Sequence, residues 1–226
     1  MKAERFDSLE RKLLSKTILW KIPFENAVKE LGIDLEEAKE IYSRGMKKNL
    51  KNLRTYASIA TYDVYLGSSF RTDEQFERIY KVEKMLESKY KVFSPANLVL
   101  PQPQKNLFDE EMIRRCRAFF GLYFSETPGF LMEARAFLDE GKPVVFWGSE
   151  GYSYFKEIHP IGTGYHFNTD LKKALKCLEL SLEKRLKIRE RIEDGILVER
   201  CEICGSRLRI KSEIGDILKI WENKFL

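Results

Sequence analysis

The chain has 226 residues, 43% of them hydrophobic and 33% charged, with 15 Phe and a formal net charge of +5. This suffices for one main core with small appendages but not for two full domains, so one principal domain is expected. No segment supplies the apolar run of about 18 residues that spans a bilayer, the opening MKAERFDSLERKLLSK has no apolar export core, and four cysteines are too sparse for a secreted disulfide framework, which together predict a cytoplasmic protein with no membrane association.

From Phe6 to about Arg54 the apolar residues recur at helical spacing, giving a helical, helix-turn-helix-like preface over residues 1–55. In VKELGIDLEEAKEI, Gly32 supplies a turn, Ile33 plugs inward, Asp34 caps the next helix, and Ala38 and Ile41 face back. Glu36, Glu37 and Glu40 on that second helix would repel phosphates, so a plain helical hairpin is preferred to a DNA reader. Lys47, Lys48, Lys51 and Arg54 are read as a solvated face. Residues 1–55 carry 13 Lys/Arg against 9 Asp/Glu, residues 56–169 carry 13 against 15, and residues 170–226 carry 14 against 11. The charge is unevenly placed, but polarity this weak allows nucleic acid as a partner without favouring it. Abundant Lys and Glu, with Gln only at Gln75, Gln102 and Gln104, is a balance typical of a thermophile.

After Arg54 short apolar runs alternate with helical stretches. Strands are expected at Asp63–Leu66, Tyr90–Ser94, Ala118–Tyr123, Pro143–Trp147 and Tyr165–Phe167, with helices at Asp73–Ser88, Asp109–Arg115 and Gly129–Glu140. Residues 56–169 therefore predict an α/β core: a flavodoxin- or Rossmann-like five-stranded parallel sheet with helices on both faces, binding ligands at the carboxyl ends of its strands. Residues 170–195 read as one long amphipathic helix with Leu171, Ala174, Leu175, Leu178, Leu182 and Leu186 on one stripe. Such a stripe could pair with the preface or with a second subunit, so a homo-oligomer, specifically a homodimer, is expected. Residues 196–226 read as a hairpin around Cys201-Glu-Ile-Cys204-Gly and a terminal helix. Cys201 and Cys204 have zinc-knuckle spacing, but a closed site needs four ligands. The other candidates, Cys116, Cys177, His159 and His166, are not paired at ligand spacing. Two readings stay open, a zinc half-site completed across a dimer and a hairpin without metal, the second somewhat preferred. His159 and His166 could also line a ligand mouth.

Three segments carry candidate chemistry. DVYLGSSFR (Asp63–Arg71) is a strand running into a small-residue turn, with Arg71 able to clamp an anion. NLFDEEMIRRC (Asn106–Cys116) and ETPGFLMEARAFLDEGKPVVFW (Glu126–Trp147) follow, the latter opening a helix with Gly129 and placing Glu133 one turn in. In this order and spacing they resemble the nucleoside 2-deoxyribosyltransferases and the related deoxynucleoside monophosphate N-hydrolases, over about half of the chain. The matching positions are Tyr65, Gly67, Ser68 and Ser69, then Asp109 and Ile113, then Gly129, Glu133, Ala134 and Ala136.

The resemblance implies transfer or hydrolysis of an N-glycosidic bond in a deoxynucleoside or nucleotide, with no cofactor required. Glu133 would be the nucleophile, Asp109 the acid for the departing base, and Tyr65 a hydrogen-bonding support for Glu133. Gly67, Ser68, Ser69, Arg71 and Gly129 would contact the sugar and its 5′ end. Two positions depart from the family: Arg117 replaces an acid at the start of the middle strand, and Glu126-Thr127-Pro128 lacks the acid before Gly129. Arg117 is therefore taken as a contact for a more anionic ligand. A catalytically inactive nucleotide sensor and a nucleic-acid-associated accessory protein are the alternatives.

Overall fold

The computed structural model describes residues 3–69, 72–124, 127–148, 164–193 and 196–210. Arg71, His159 and the expected terminal helix lie outside the described residues. The β-branched and aromatic runs become β1 (Tyr62–Ser68), β2 (Val92–Phe93), β3 (Cys116–Tyr123), β4 (Val144–Gly148) and β5 (Tyr165–Asn168). They form one parallel sheet in the order β2-β1-β3-β4-β5, the flavodoxin order, whose direction of winding reverses between β1 and β3. Nearly every side chain of β1 and β3 is buried, as a sheet covered on both faces requires. By packing density the chain divides into two compact units, Met1–Leu66 with Phe70–Cys116, and Gly67–Ser69 with Arg117–Leu226.

The first unit opens with α1 (Ser8–Leu14), whose amino end is closed by a reciprocal capping box between Asp7 and Glu10. A π-helical turn over Ser15–Leu19 leads to α2 (Phe24–Leu31). Gly32 takes φ +65, a left-handed conformation open to glycine at little cost, and Asp34 Oδ1 accepts from the amides of Glu36 and Glu37 to start α3 (Leu35–Ser58). Leu13, Ala27, Val28, Ala38 and Ile41 form the buried cluster that the hairpin pattern predicts. Lys48 reaches Glu10 and Lys51 reaches Glu4, so two of the four basic residues that end the preface are occupied in ion pairs.

Helix α4 (Asp73–Leu86) has its own capping box between Thr72 and Gln75. It buries the carboxylate of Glu83, which is 2% exposed. Asn97 Nδ2 donates to Glu83 Oε1, while Arg5 Nε stands 3.5 Å from Oε2. That ion pair is long and Arg5 is partly exposed, so burial dominates and, helped by Glu87, pushes the carboxyl up to about 7. Between the ordinary carboxylate range and about 7 the folded chain thus holds a proton that the unfolded chain has released. Stability should therefore fall as pH rises through this window, by on the order of 3 kcal/mol for a shift of this size. Arg11, Tyr56 and Tyr80 also face Glu83 and hold their charge states across this range. Urea unfolding at pH 5, 6 and 7.5 should show a steeper decline in wild type than in Glu83→Gln; equal slopes would refute this account.

Helix α5 spans Gln104–Arg115 and so starts a turn earlier than the sequence suggests. Pro101 and Pro103 precede it, and their carbonyls accept from Lys105 and Leu107, because a proline's missing N–H costs nothing at a helix start.

In the second unit, α6 (Pro128–Asp139) joins β3 to β4, and α7 (Leu171–Leu182) follows β5. The expected 170–195 helix is corrected: α7 ends at Leu182, Lys184 turns the chain at φ +55, and Ile188–Glu193 is a strand, β6. Ladder pairing with β7 (Ile196–Cys201), which itself pairs with β8 (Arg207–Ile210), outweighs the helical pattern there. The apolar face of α7, with Ala174, Cys177, Leu178 and Leu182 buried, packs on β4 and β5 of its own chain. Among the described residues no helix is long and apolar enough to cross a membrane.

Candidate functional site

Two groups of side chains in the second unit carry chemistry. The first gathers at the end of β1. On the face beneath α6, the ring of Phe119 packs against Phe130, Phe137 and Phe146 at 5.4 to 5.9 Å between centroids. This cluster draws α6 onto the sheet, and Gly67 leaves room for it: a Cβ there would stand 2.4 Å from Phe119 Cζ. The same Cβ would be 3.5 Å from Glu133 Oε2, so the half-buried Glu133 carboxylate lies against the backbone at the end of β1. Ser68 Oγ donates to Leu122 O at 3.1 Å, tying that end to β3, and Ser69 is buried. Nothing lies within 4 Å of a Cβ built on Gly129, which leaves open space beside the first turn of α6. Gly67→Ala should cost about 1–3 kcal/mol by overpacking Phe119, measured as a lower unfolding midpoint, whereas Gly129→Ala should leave the midpoint unchanged.

The structure thus brings Gly67, Ser68, Ser69 and Glu133 into one neighbourhood. Arg117 is not in it: its Nη2 donates to Leu182 O at 3.1 Å, and it lies five positions before Leu122 on β3, about 16 Å along the strand. Tyr65 and Asp109 belong to the first unit. Tyr65 is fully buried with its ring 5.0 Å from that of Phe93. Asp109 is buried beside Lys105, and burial raises its carboxyl above the ordinary range against the pull of that lysine.

The second group is a histidine-cysteine cluster with ligand atoms close enough to hold a metal ion. His166 on β5, Cys177 on α7, Cys201 ending β7 and Cys204 in the turn before β8 place their ligand atoms within 4.8 Å of one another. The sulfurs of Cys177 and Cys201 are 3.9 Å apart, and His166 Nδ1 is 3.4 Å from Cys204 Sγ. A tetrahedral zinc with Zn–S of about 2.3 Å and Zn–N of about 2.0 Å has S–S edges of about 3.8 Å and N–S edges of about 3.5 Å, so the spacing fits. The other imidazole nitrogen, Nε2, is 3.4 Å from Ser181 Oγ, which orients the ring with Nδ1 toward the sulfurs. Cys204 Sγ is also 3.1 Å from Ser206 Oγ, and Ser206 Oγ accepts from Phe167 N. Burial disfavours a charged His166, yet hydrogen bonds to Cys201 and Cys204 push its pKa up to about 9. Hydrogen bonds from Cys177 and Cys201 drive the Cys204 thiol strongly down, favouring its charged form.

All four ligands come from one chain, so no second subunit is needed to complete the set, and these four residues could hold a metal ion. Spacing in the sequence showed only Cys201 and Cys204, because His166 and Cys177 lie 35 and 24 residues before Cys201. The available signal was Cys177 on the buried stripe of a helix directly after the His166 strand. All four cysteines are free thiols, and Cys116 starts β3 in the first unit. Neither the protein-family models, nor the curated proteins, nor the solved structures give a match to this chain.

Proposed function

We propose that the chain cleaves or exchanges the base of a deoxynucleoside or deoxynucleotide, with Glu133 as nucleophile. The observation that carries this reading is the Glu133 carboxylate lying against Gly67 at the carboxyl end of β1, beside Ser68 and Ser69. In an open α/β sheet of this order the ligand crevice falls at the β1/β3 reversal, where this group stands. A Glu133 oxygen bonds to C1′ of the sugar as the C1′–N bond breaks and its electron pair leaves with the base. The reading gives Asp109 the proton for that base, a role suited to a carboxyl whose pKa burial raises. Water or a second base then attacks C1′ and frees the Glu133 carboxylate, and in either case Asp109 takes the proton that the attacking O–H or N–H releases. The negative charge of Glu133 also suits an oxocarbenium-like transition state. Incubation of wild-type protein with a panel of deoxynucleosides and deoxynucleotides tests the reading, by chromatography for free base and mass spectrometry for a glycosyl adduct. Binding without base or adduct from any member would favour the sensor alternative.

The cysteine-histidine cluster takes zinc, in this reading, as a closed four-ligand site with a structural role. Three thiolates and one imidazole at tetrahedral spacing are a zinc donor set, and they leave no open position for a substrate. The small sheet supplies the need: among its described residues only Val198 and Cys201 are buried hydrophobics, too little core to hold three short strands in place.

A further inference from the structure

We propose that one face of the β6-β7-β8 sheet binds the phosphate backbone of a nucleic acid. Opposed residues on neighbouring antiparallel strands point to the same face. The register sets Arg189 opposite Arg200 and, across a β-bulge at Glu199/Arg200, Arg200 opposite Arg207; the ion pairs of Arg200 and Arg207 with Glu193 keep these arginines on one face of the three strands. Arg191 lies on that face two residues along β6 from Arg189, and so does Glu193. The other face sets Glu190 opposite Glu199 and Glu199 opposite Arg209, so it carries no row of cations. Like charges set directly opposite one another cost stability, so a row of arginines is an expense that an outside anion would offset.

Internal compensation covers half of it. Glu193 pairs with Arg200 and Arg207, and its carboxyl is held down to about 2 by those two guanidinium groups. Arg189 and Arg191 are exposed and have no acidic partner among the described residues. With Arg200, Glu193 and Glu202 they line a concavity of about 590 Å³. The row spans two strand spacings, about 10 Å, comparable to three nucleotide rises of about 3.4 Å. Guanidinium groups suit this ligand because they meet phosphate oxygens through paired N–H groups. The knuckle supports the row as well: Arg200 Nη1 donates to Gly205 O, one residue past Cys204. A polyanion is favoured over a small anion because the cations form a line and not a closed cup.

This inference does not rest on the glycosidic reading, and the test separates the two. Full-length Glu133→Ala protein, which cannot turn over a base, is titrated against labelled single-stranded RNA and duplex DNA oligonucleotides from 50 to 300 mM salt. Binding should weaken with salt, with a slope in log K against log[salt] of roughly −2 to −3. Adding Arg189→Ala and Arg191→Ala, which break no internal bond, should flatten the slope by roughly 1.5 and weaken binding about tenfold or more at 100 mM. Equal zinc content and thermal midpoint in the two proteins would show that the fold is kept. Absence of salt-dependent binding to both oligonucleotides, or equal affinity with and without the two arginines, would overturn the proposal.

Discussion

Removing zinc should unfold the C-terminal three-stranded sheet while leaving the first unit folded. Protein purified without added metal should carry stoichiometric zinc, and Cys177→Ser or Cys204→Ser should lose it. The effect is expected to be large, because binding at a structural zinc site is worth roughly 10 kcal/mol or more of folding free energy and little else holds these strands. His166 and Cys177 anchor the cluster on β5 and α7, while Cys201 and Cys204 belong to the small sheet, so an ion held by all four would join them. Among the described residues, Phe167 N also donates to Ser206 Oγ at 2.9 Å and Gly164 N to Arg207 O at 3.2 Å. Hydrogen exchange should therefore show amides of Ile196–Cys201 and Arg207–Ile210 losing protection on chelation under reducing conditions, with those of Leu35–Ser58 unchanged. If the metal-free chain keeps protection in both strands, the cluster is not the staple. Acid should act in the same direction as chelation, since protons compete for the thiolates and the imidazole.

Glu133→Gln should abolish base release and the covalent sugar adduct while leaving nucleotide binding within a few-fold of wild type. Glutamine keeps the size of the side chain, so the contact with Gly67 and the packing of α6 through Phe130 and Phe137 should survive. What it removes is the charge and the nucleophile, and loss of such a group typically lowers kcat by roughly 10³-fold or more. Asp109→Asn should behave differently: the adduct still forms, but base departure slows by roughly 10²- to 10³-fold, most for bases that need protonation to leave. Base release by Glu133→Gln within tenfold of wild type would remove Glu133 from the chemistry. An Asp109→Asn enzyme as fast as wild type would leave the proton to another group.

Local pattern in the sequence determined most of the α/β core. Alternating short apolar runs and helical stretches predict five parallel strands, and four of the five expected spans overlap the observed ones closely, from β1 and β3 to β4 and β5. These elements are legible because their periodicity and caps lie within a few residues, as at Gly32 with Asp34 or in the Gly129 helix start. The segment after Leu182 is where local pattern misleads. Leu186 continues the helical stripe, but Ile188–Glu193 gains more from pairing with β7 than from another helical turn, and that partner lies beyond the segment itself.

Tertiary structure alone decided which distant residues meet. The approach of Glu133 to Gly67 spans 66 positions and depends on Phe119 and its aromatic neighbours drawing α6 down on a glycine. Arg117 has a residue type suited to an anion, yet its place at the amino end of β3 turns it to Leu182 O. The metal cluster shows the same division. Cys201-x-x-Cys204 is a local signal, whereas its completion by His166 and Cys177 required β5, α7 and the small sheet to fold against one another, which no spacing rule within the chain encodes.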